Sequence, residues 1–398
     1  MKPKTLLMLA GITLVVSIGA AFFGQEREHQ PDQSGELFFP DLMNRINHIH
    51  KMTIETNNET VTLIREADTW SVKESGGYTA AFEKIKPVLI GMAELRVREP
   101  KTKNPELYEK LGLQDKDAEG SSSTLITLKT KDASTAATLL LGDQRPAKGA
   151  PSLTEMYVRK PEDPQTWLVV GNLPIEKVPG QWLDKELLKI ASKRVQRVRV
   201  THADGEMLTV YKDTPDALDF KIQDLPKGVK VGSQFNVNNV VTSLAQLQMD
   251  DVKKADKFQV ETQPGIKAVL ETFDGLRLTV ETMQKDEVIY GKIVTAFDSA
   301  LIYEEPVTES SEEKEAAKEN SGIEDATELK KDANSDSNAD GEKGPKPSKA
   351  KESVLKSEED VQKEVVGFNE KLNEWVFELP KFRVDNFSKK KQDLIAKD

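Results

Sequence analysis

The sequence repeats its own pattern of apolar residues after about 150 positions, and this repeat constrains the fold more than any other feature. Each copy contains an apolar stripe with the i, i+3, i+4, i+7 spacing of an amphipathic helix, and the second stripe lies 152 positions after the first. The stripes consist of Ile85, Val88, Leu89, Met92 and Ala93, and of Val237, Val240, Val241, Leu244 and Ala245. We interpret the agreement as an internal duplication.

Residues around each stripe alternate between apolar and polar side chains, as half-buried strands do. Strands are predicted in the first copy at Met52–Ile54, Val61–Leu63, Trp70–Val72, Thr124–Lys129, Ala137–Leu141, Met156–Arg159 and Trp167–Val170. Their counterparts are Val198–Val200, Leu208–Val210, Phe220–Ile222, Lys267–Glu271, Leu276–Thr282 and Val288–Phe297. The sequence therefore predicts an α+β fold of two duplicated units, each a mainly antiparallel, hairpin-built sheet with a packed helix.

One proline interrupts the first helical stripe. Pro87 lies between Ile85 and Val88. Because proline is tolerated in the first turn of a helix but bends or breaks its interior, two alternatives remain. Either the helix begins near Pro87 or it kinks there.

A tract rich in acidic residues interrupts the second copy. Residues 304–362 contain eighteen Asp or Glu against nine Lys or Arg, and no aromatic residue occurs from Glu304 through Gly367. Such a composition buries too little apolar surface to offset chain entropy, so we predict that 304–362 is disordered. After the tract, Trp375–Pro380 parallels Trp167–Pro174. The tract is therefore expected to be a hairpin loop inside the second unit.

The first residues of the chain predict a membrane anchor. Lys2 and Lys4 precede an uncharged run from Leu6 to Gly24, which is long enough to cross about 30 Å of hydrocarbon as a helix. We expect residues 1–25 to be one transmembrane helix, with a cytoplasmic N-terminus and the body of the chain outside the cytoplasm. The alternative is a signal peptide cleaved near Gly19–Ala21. A spacer over 26–47, a first unit over 48–193 and a second unit over 194–398 are expected to follow.

Charge and cysteine content exclude several classes of protein. The chain has a net charge of −11, of which the tract carries −9, so the remainder is nearly neutral at −2. A nucleic-acid-binding protein would instead present a basic face. The absence of cysteine excludes disulfides, thiolate metal sites and a cysteine nucleophile. The sequence also lacks the GxSxG, GxxxxGK[ST], HExxH and GxGxxG motifs.

The sequence offers two weak candidate sites, a pair of histidines and a pair of carboxylates. His48 and His50 could place two imidazoles on one strand face, but no third metal ligand has local spacing. Asp184 and Glu186 could be a hydrolase's carboxylate pair, yet the second copy has Ser388–Lys391 at the matching position. We interpret these acids as the first turn of a helix instead. The sequence thus predicts no catalytic, cofactor-binding or metal-binding residue.

Two further segments have a structural interpretation. Lys193–Val200 is basic, but Val198 and Val200 alternate with arginines, which predicts a half-buried strand with a charged outer face. At a sheet edge, this strand could accept a partner by strand addition. Gly76–Gly77 is predicted to be a loop, because no strand, glycine-rich loop and helix with a lysine follow one another there.

Several short motifs occur in an order that is typical of one bacterial family. They are Thr69–Val72, the helical stretch Ala81–Leu95, Asn104–Leu113, Leu139–Gly142, Met156–Arg159 and Trp182–Lys185. With these motifs and its lysine-flanked N-terminus, the chain resembles the bacterial domain of unknown function DUF4340. The resemblance covers Lys51 to Val200 well and the second copy more loosely, and the acidic tract departs from it.

The resemblance implies an envelope protein with one N-terminal span in the bacterial inner membrane, a periplasmic body and no known catalytic residues. Some members are encoded beside gliding-motility-type ABC transporter components. We therefore expect a non-enzymatic, membrane-anchored scaffold or binding subunit of a cell-envelope complex, with an envelope or transporter protein as partner and no nucleic acid. The alternative is an extracytoplasmic hydrolase acting on envelope polymer, which would need acids converging from both units. No cofactor is expected.

Overall fold

The computed structural model of the protein describes residues 35–148, 150–258, 263–304 and 354–396. These residues form a mixed α+β fold with two antiparallel sheets and few helices. The helices are α1 (Leu42–Arg45), α2 (Phe82–Glu94), α3 (Gln234–Ala245), α4 (Glu358–Leu372) and α5 (Lys381–Phe387).

The first sheet has nine strands in the order β4-β3-β2-β1-β6-β7-β8-β9-β5. They are β1 (Ile49–Glu55), β2 (Thr60–Glu66), β3 (Thr69–Val72), β4 (Tyr78–Thr79), β5 (Arg96–Pro100), β6 (Thr124–Thr130), β7 (Thr135–Ala147), β8 (Ala150–Arg159) and β9 (Thr166–Gly171). Strands β1 to β4 are joined by hairpins, and so are strands β6 to β9. The remaining pairings are long-range: β6 pairs with β1, and β5 pairs with β9. The chain therefore leaves the sheet after β4, forms α2, and returns to the opposite edge as β5.

The second sheet repeats this plan with eight strands in the order β12-β11-β10-β14-β15-β16-β17-β13. They are β10 (Val195–Thr201), β11 (Met207–Tyr211), β12 (Lys221–Ile222), β13 (Asp251–Lys254), β14 (Gln263–Thr272), β15 (Leu276–Lys285), β16 (Val288–Phe297) and β17 (Trp375–Leu379). Each of these eight strands has a counterpart at the same place in the first sheet, and only β4 of the first sheet has none in the second. In sequence, helix α3 comes between β12 and the edge strand β13, as α2 comes between β4 and β5.

Both predicted helical stripes are buried, as expected. All ten stripe residues are at most 6% exposed. Helix α2 begins at Phe82 and continues through Pro87, so the alternative in which it begins near Pro87 is wrong. Ile85 before the proline and Val88 after it are both buried, and this burial favours the helix on both sides of Pro87. It offsets the cost of the backbone hydrogen bond that proline cannot donate.

One extended segment, 183–190, belongs to both units. Leu183 forms a bridge with Ala80 of the first unit, and Glu186 forms one with Gln248 of the second. The Leu187 amide then donates to the Leu247 carbonyl at 3.0 Å. The predicted helix start at Asp184 and Glu186 is therefore wrong, because the backbone here pairs with other segments and cannot also form helical hydrogen bonds.

The two units share one hydrophobic core. Trp182 is fully buried, and its indole nitrogen donates to the Glu176 carbonyl at 3.0 Å. Tyr78 of the first unit makes edge-on contact with Trp375 of the second, with ring centroids 5.1 Å apart, and with Phe377 at 6.1 Å. Buried side chains from α2, α3 and both sheets belong to this single cluster.

Part of the expected spacer over 26–47 is folded. Phe38, Phe39 and Leu42 are buried in the common core, and the Phe38 amide donates to the Leu95 carbonyl at 2.8 Å. Three large apolar side chains are too costly to leave in water, which explains why this stretch packs. The contact corresponds to that of Leu187 with Leu247 in the second unit.

The end of the acidic tract is also folded. Residues 358–362, which we predicted to be disordered, form the first turns of α4, and the Ser357 hydroxyl accepts a hydrogen bond from the Asp360 amide at 3.2 Å. Glu358, Glu359 and Asp360 favour this helix start because they face its positive dipole end. The rest of the tract, from 305 to 353, lies outside the described residues.

Two further expectations concern the sheet edge and the membrane. Strand β10, which carries the basic stretch, lies between β11 and β14, so strand addition at this strand is excluded. Within the described ranges, no helix is long and apolar enough to cross a membrane. The predicted anchor over 1–25 lies outside those ranges.

The shared core predicts that both units unfold together. We expect Met92→Ala in α2 and Leu244→Ala in α3, both at fully buried positions, each to destabilise the protein by about 2–5 kcal/mol. Each variant should show one thermal transition by circular dichroism, with a lowered midpoint. Leu218→Ala, at a position that is 89% exposed, is the control and should leave the midpoint unchanged. Two separate transitions would contradict a common core.

Candidate functional site

The two sheets carry matching corners, which we call the first corner and the second corner. In the first, β1 meets β6 with Ile49 opposite Thr130; in the second, β10 meets β14 with Val195 opposite Thr272. Each corner continues into a Thr-x-Asp turn. The Thr130 hydroxyl donates to the Asp132 carboxylate, and the Thr272 hydroxyl donates to the Asp274 carboxylate at 2.6 Å.

The second corner is a buried ion network. The side chains of Arg194 and Asp274 are 4% and 1% exposed, and they are joined by hydrogen bonds of 2.6 and 3.2 Å. The same guanidinium donates to both carboxylate oxygens of Glu364, on α4, at 3.0 and 2.7 Å. Such two-pronged pairing fixes geometry as well as charge. It therefore ties α4 to the sheet at a defined position.

Lysine completes this network and balances its charge. The Lys356 ammonium lies 2.8 Å from Glu364, and the Lys356 amide donates to Asp274 at 3.1 Å. Burial opposes ionisation of Glu364, but hydrogen bonds from Arg194 and Lys356 outweigh it and lower the pKa of Glu364. Burial likewise opposes the charge on Arg194, yet hydrogen bonds to Glu364 and Asp274 raise its pKa. Two cations therefore face two carboxylates.

The acidic tract begins and ends at this second corner. On the incoming side, the Tyr303 amide donates to the Phe273 carbonyl at 2.7 Å, and the two rings lie 5.3 Å apart. On the returning side, Lys356 and Glu364 join the ion network. The chain between 304 and 354 thus connects two points that are both fixed beside Phe273 and Asp274.

Helix α4 takes the place of part of a strand. In the second unit, β17 pairs with β16 only from Ile289 to Gly291. Farther along β16, the Asn369 side-chain amide accepts from the Thr295 amide at 3.1 Å and donates to its carbonyl at 3.0 Å, as a neighbouring peptide group would. The other end of α4 is held by Lys371, which lies 2.9 Å from Asp184.

The first corner is an open groove of about 610 Å³. It is lined by Arg45, His48, His50, Arg65, Lys131, Asp132 and their neighbours, so three permanent cations face one carboxylate. His48, Lys131 and Asp132 are exposed. Hydrogen bonds from Thr130 and then Ser134 lower the pKa of Asp132, which keeps it ionised. The groove has a positive balance even with both histidines neutral.

A smaller cavity of about 400 Å³ lies between the second sheet and α5. Lys381, Val384 and Asp385 of α5 face Gly265 and Thr282 of the sheet. Lys381 and Asp385 pair with each other at 2.8 Å, which leaves the carboxylate of Glu287 as the unpaired charge among the described lining residues.

The candidate residues named from the sequence lie in different parts of the structure. His48 and His50 both line the first corner, but no group of three or more His, Cys, Asp or Glu side chains suited to a metal occurs in the part of the chain that is described. Asp184 pairs with Lys371 and Glu186 with Lys189, at 2.9 and 3.5 Å. Gly76 and Gly77 form the loop between β3 and β4, as expected.

Sequence reasoning did not identify Arg194, Asp274 and Glu364 as a unit. Aligning the copies more closely would have matched Thr130-x-Asp132 with Thr272-x-Asp274. No local pattern distinguishes Glu364 from the acids of the preceding tract, because its role depends on a partner 170 positions away.

The comparisons with known proteins identify a family and no activity. A family model described as domain of unknown function (DUF4340) matches residues 70–280, which is 211 of the 398 residues. The match begins in β3 and ends in β15, so it includes parts of both sheets. No curated protein and no solved structure matches the chain.

The buried network predicts a large cost for removing its central cation. Arg194→Met should destabilise the protein by about 3–5 kcal/mol, because it leaves the buried Asp274 carboxylate without a cation and Glu364 with Lys356 alone. Urea unfolding measures this cost. Arg199→Met, on the outward face of the same strand, is the control and should change stability by about 0.5 kcal/mol or less. Equal effects of the two substitutions would contradict the structural role of Arg194.

The lowered pKa of Glu364 predicts a loss of stability in acid. Because folding lowers this pKa from its ordinary value near 4.5, the stabilisation is present above that pH and is lost as the pH falls below it. At pH 7, Glu364→Gln should be about 1.5–3 kcal/mol less stable than the wild type. The difference should shrink as thermal midpoints are measured from pH 5 down to pH 3. Glu370→Gln, at an exposed position of the same helix, should follow the wild type throughout; a gap that stays constant with pH would refute the assignment.

Proposed function

The chain belongs to the DUF4340 family, and from that premise we propose that it is a non-enzymatic, membrane-anchored scaffold or binding subunit of a cell-envelope complex. An ABC transporter is the proposed partner assembly, with this chain as its auxiliary protein. Residues 1–25 would hold it in the inner membrane, and the two sheets would lie on the extracytoplasmic side. The strand order common to both sheets supports an internal duplication as the origin of this body.

The observation that supports the proposal most strongly is where the buried charged side chains lie. Enzymes place perturbed ionisable groups in clefts, where a substrate can reach them. Among the residues that the structure describes, the buried charged side chains are bound by other parts of the chain and line neither of the two cavities above; they are Arg159, Arg194, Lys212, Glu271 and Asp274. Arg159, for example, donates to the Pro161 carbonyl at 3.0 Å. Their positions favour a role in holding segments together.

The hydrolase alternative has no specific observation in its favour. It requires acids that converge from both units, and Asp184 and Glu186 are the carboxylate pair that the sequence offers in the first unit. This carboxylate is instead bound by Lys371, whose ammonium also donates to the Glu186 carbonyl at 2.7 Å. The contact holds α4 against the segment that joins the two units, which is a structural role.

Fractionation of cells tests the anchor. The intact chain should sediment with membranes and resist extraction by high salt, whereas deletion of residues 1–25 from a chain carrying a replacement export signal should release the body as a soluble protein. Deletion of 305–353 is the matched control and should leave the chain on the membrane. Recovery of the wild type as a soluble form lacking about 21 N-terminal residues would overturn the anchor.

Purification from cross-linked membranes tests the partner. The intact chain should recover an integral membrane subunit in stoichiometric amount, and the chain without residues 1–25 serves as the control for nonspecific capture. Recovery of no membrane subunit by the intact chain would overturn the scaffold proposal.

A further inference from the structure

We propose that the first corner is a docking site for an acidic helical segment of a partner protein, seated as α4 is seated at the second corner. This inference deepens the proposed scaffold function and rests on it, because it specifies the chemistry of the partner. It follows from comparing two equivalent places in one molecule, one covered by the chain itself and one open.

The equivalence is detailed. Thr130 and Thr272 both bond to the Asp two residues later, and each also bonds to the carbonyl four residues later, in Ser134 and in Leu276. On the neighbouring strand, Ile49 and Val195 hold the same register position. The residue before each is His48 in one unit and Arg194 in the other, so both corners present a nitrogen-bearing side chain beside the aspartate.

The two corners differ in what covers them. In the second unit, the connection between β16 and β17 runs from 298 to 374 and brings Lys356 and Glu364 over Asp274. In the first unit, β8 and β9 are joined by residues 160–165 alone. That short hairpin supplies no helix, so the aspartate is exposed at Asp132 and buried at Asp274.

The charges that remain at the first corner favour a carboxylate-bearing ligand. Arg65 is neutralised by Asp68 at 3.2 Å, and it also donates to the Asn47 and Ala67 carbonyls, each at 3.1 Å. Arg45 has only a 3.5 Å contact with the Ser134 hydroxyl, and Lys131 makes no hydrogen bond or ion pair with any described residue. At the second corner, the incoming carboxylate of Glu364 meets the Arg194 guanidinium, and the Lys356 ammonium arrives on the same covering segment. At the first corner, Arg45 and Lys131 offer a guanidinium and an ammonium.

The size of the groove favours a chain segment over a small anion. At about 610 Å³ it is far larger than a phosphate or acetate ion. The segment on the equivalent corner approaches as the first turns of a helix that carries several acids. Exposed ion pairs are individually weak, so we expect a moderate affinity that falls with salt.

A labelled peptide with the sequence of residues 354–372 is a defined probe for this groove. It carries five acids and three lysines, and it reproduces the segment that covers the second corner. The chain's own α4 remains tethered at that corner at a high effective concentration, so added peptide should bind at the first. Fluorescence anisotropy with the full-length protein should show saturable binding. Lys131→Glu and Arg45→Glu should each weaken it at least fivefold.

Matched variants distinguish binding in the groove from nonspecific attraction between the charged peptide and the protein. Lys131→Arg keeps the charge and should retain wild-type affinity within twofold, while it abolishes carbodiimide cross-linking of the peptide at this position. Lys285→Glu, an exposed lysine on the second sheet, should leave the affinity unchanged. A peptide with Glu364→Lys should bind at least fivefold more weakly. Affinity that is insensitive to both Lys131→Glu and Arg45→Glu would overturn the proposal.

Two other occupants are distinguished by the same assay. If peptide binds only after residues 305–353 are deleted, the chain's own tract covers the groove, and the partner proposal is overturned. If Lys131 cross-links to an acid of a second, isotope-labelled copy, the site joins identical chains, and the partner proposal is again overturned. A third result would overturn the docking site alone: the wild-type protein does not bind the peptide, yet the Lys131→Glu variant still recovers the membrane subunit from cells. The scaffold function would then stand without this groove as its docking site.

Discussion

The segment from Leu183 to Ile190 is the feature on which the arrangement of both units depends. Its first residue bridges to Ala80, its middle bridges to Gln248, and its end donates from Ile190 to the Ala245 carbonyl at 2.9 Å. One extended stretch therefore makes backbone contacts with both units. Because its leucines are buried in the common core, the two units cannot separate without exposing apolar surface. The two units consequently behave as one body.

Helix α4 adds a second kind of attachment, based on polar contacts. It buries only Val361 and Leu372, and its mean hydropathy is low, so packing alone does not explain its place. Glu364 fixes its first half to Arg194, Asn369 joins β16, and Lys371 reaches the segment between the units. Since the cost of closing a loop grows only logarithmically with length, the long acidic connection is tolerated once these contacts hold both ends.

The parts of the fold that could be predicted are those whose side chains alternate between core and solvent. Strand β16 was predicted with its observed bounds, Val288–Phe297, and both buried helical stripes were recognised because burial imposes their spacing. The edge strands β5 and β13 were not predicted, because edge positions tolerate charge: Asp251–Lys254 buries only Val252. Helix α4 escaped prediction for the related reason that polar contacts, which leave no periodic signal, hold it. Likewise, His48 and His50 were noticed for their chemistry, whereas the groove around them depends on Arg45 and Lys131 from other segments.

The contrast between the two corners has a physical logic. A buried ion network such as that of Arg194, Asp274 and Glu364 adds little net stability, because desolvation offsets most of the attraction; what it provides is a fixed geometry. That suits a helix that belongs permanently to the molecule. An open corner with exposed cations gives the opposite behaviour, since solvent and salt keep each contact weak and exchangeable. A duplicated unit that lost or never gained the covering helix would thus keep the recognition chemistry of the corner while making it available to another chain.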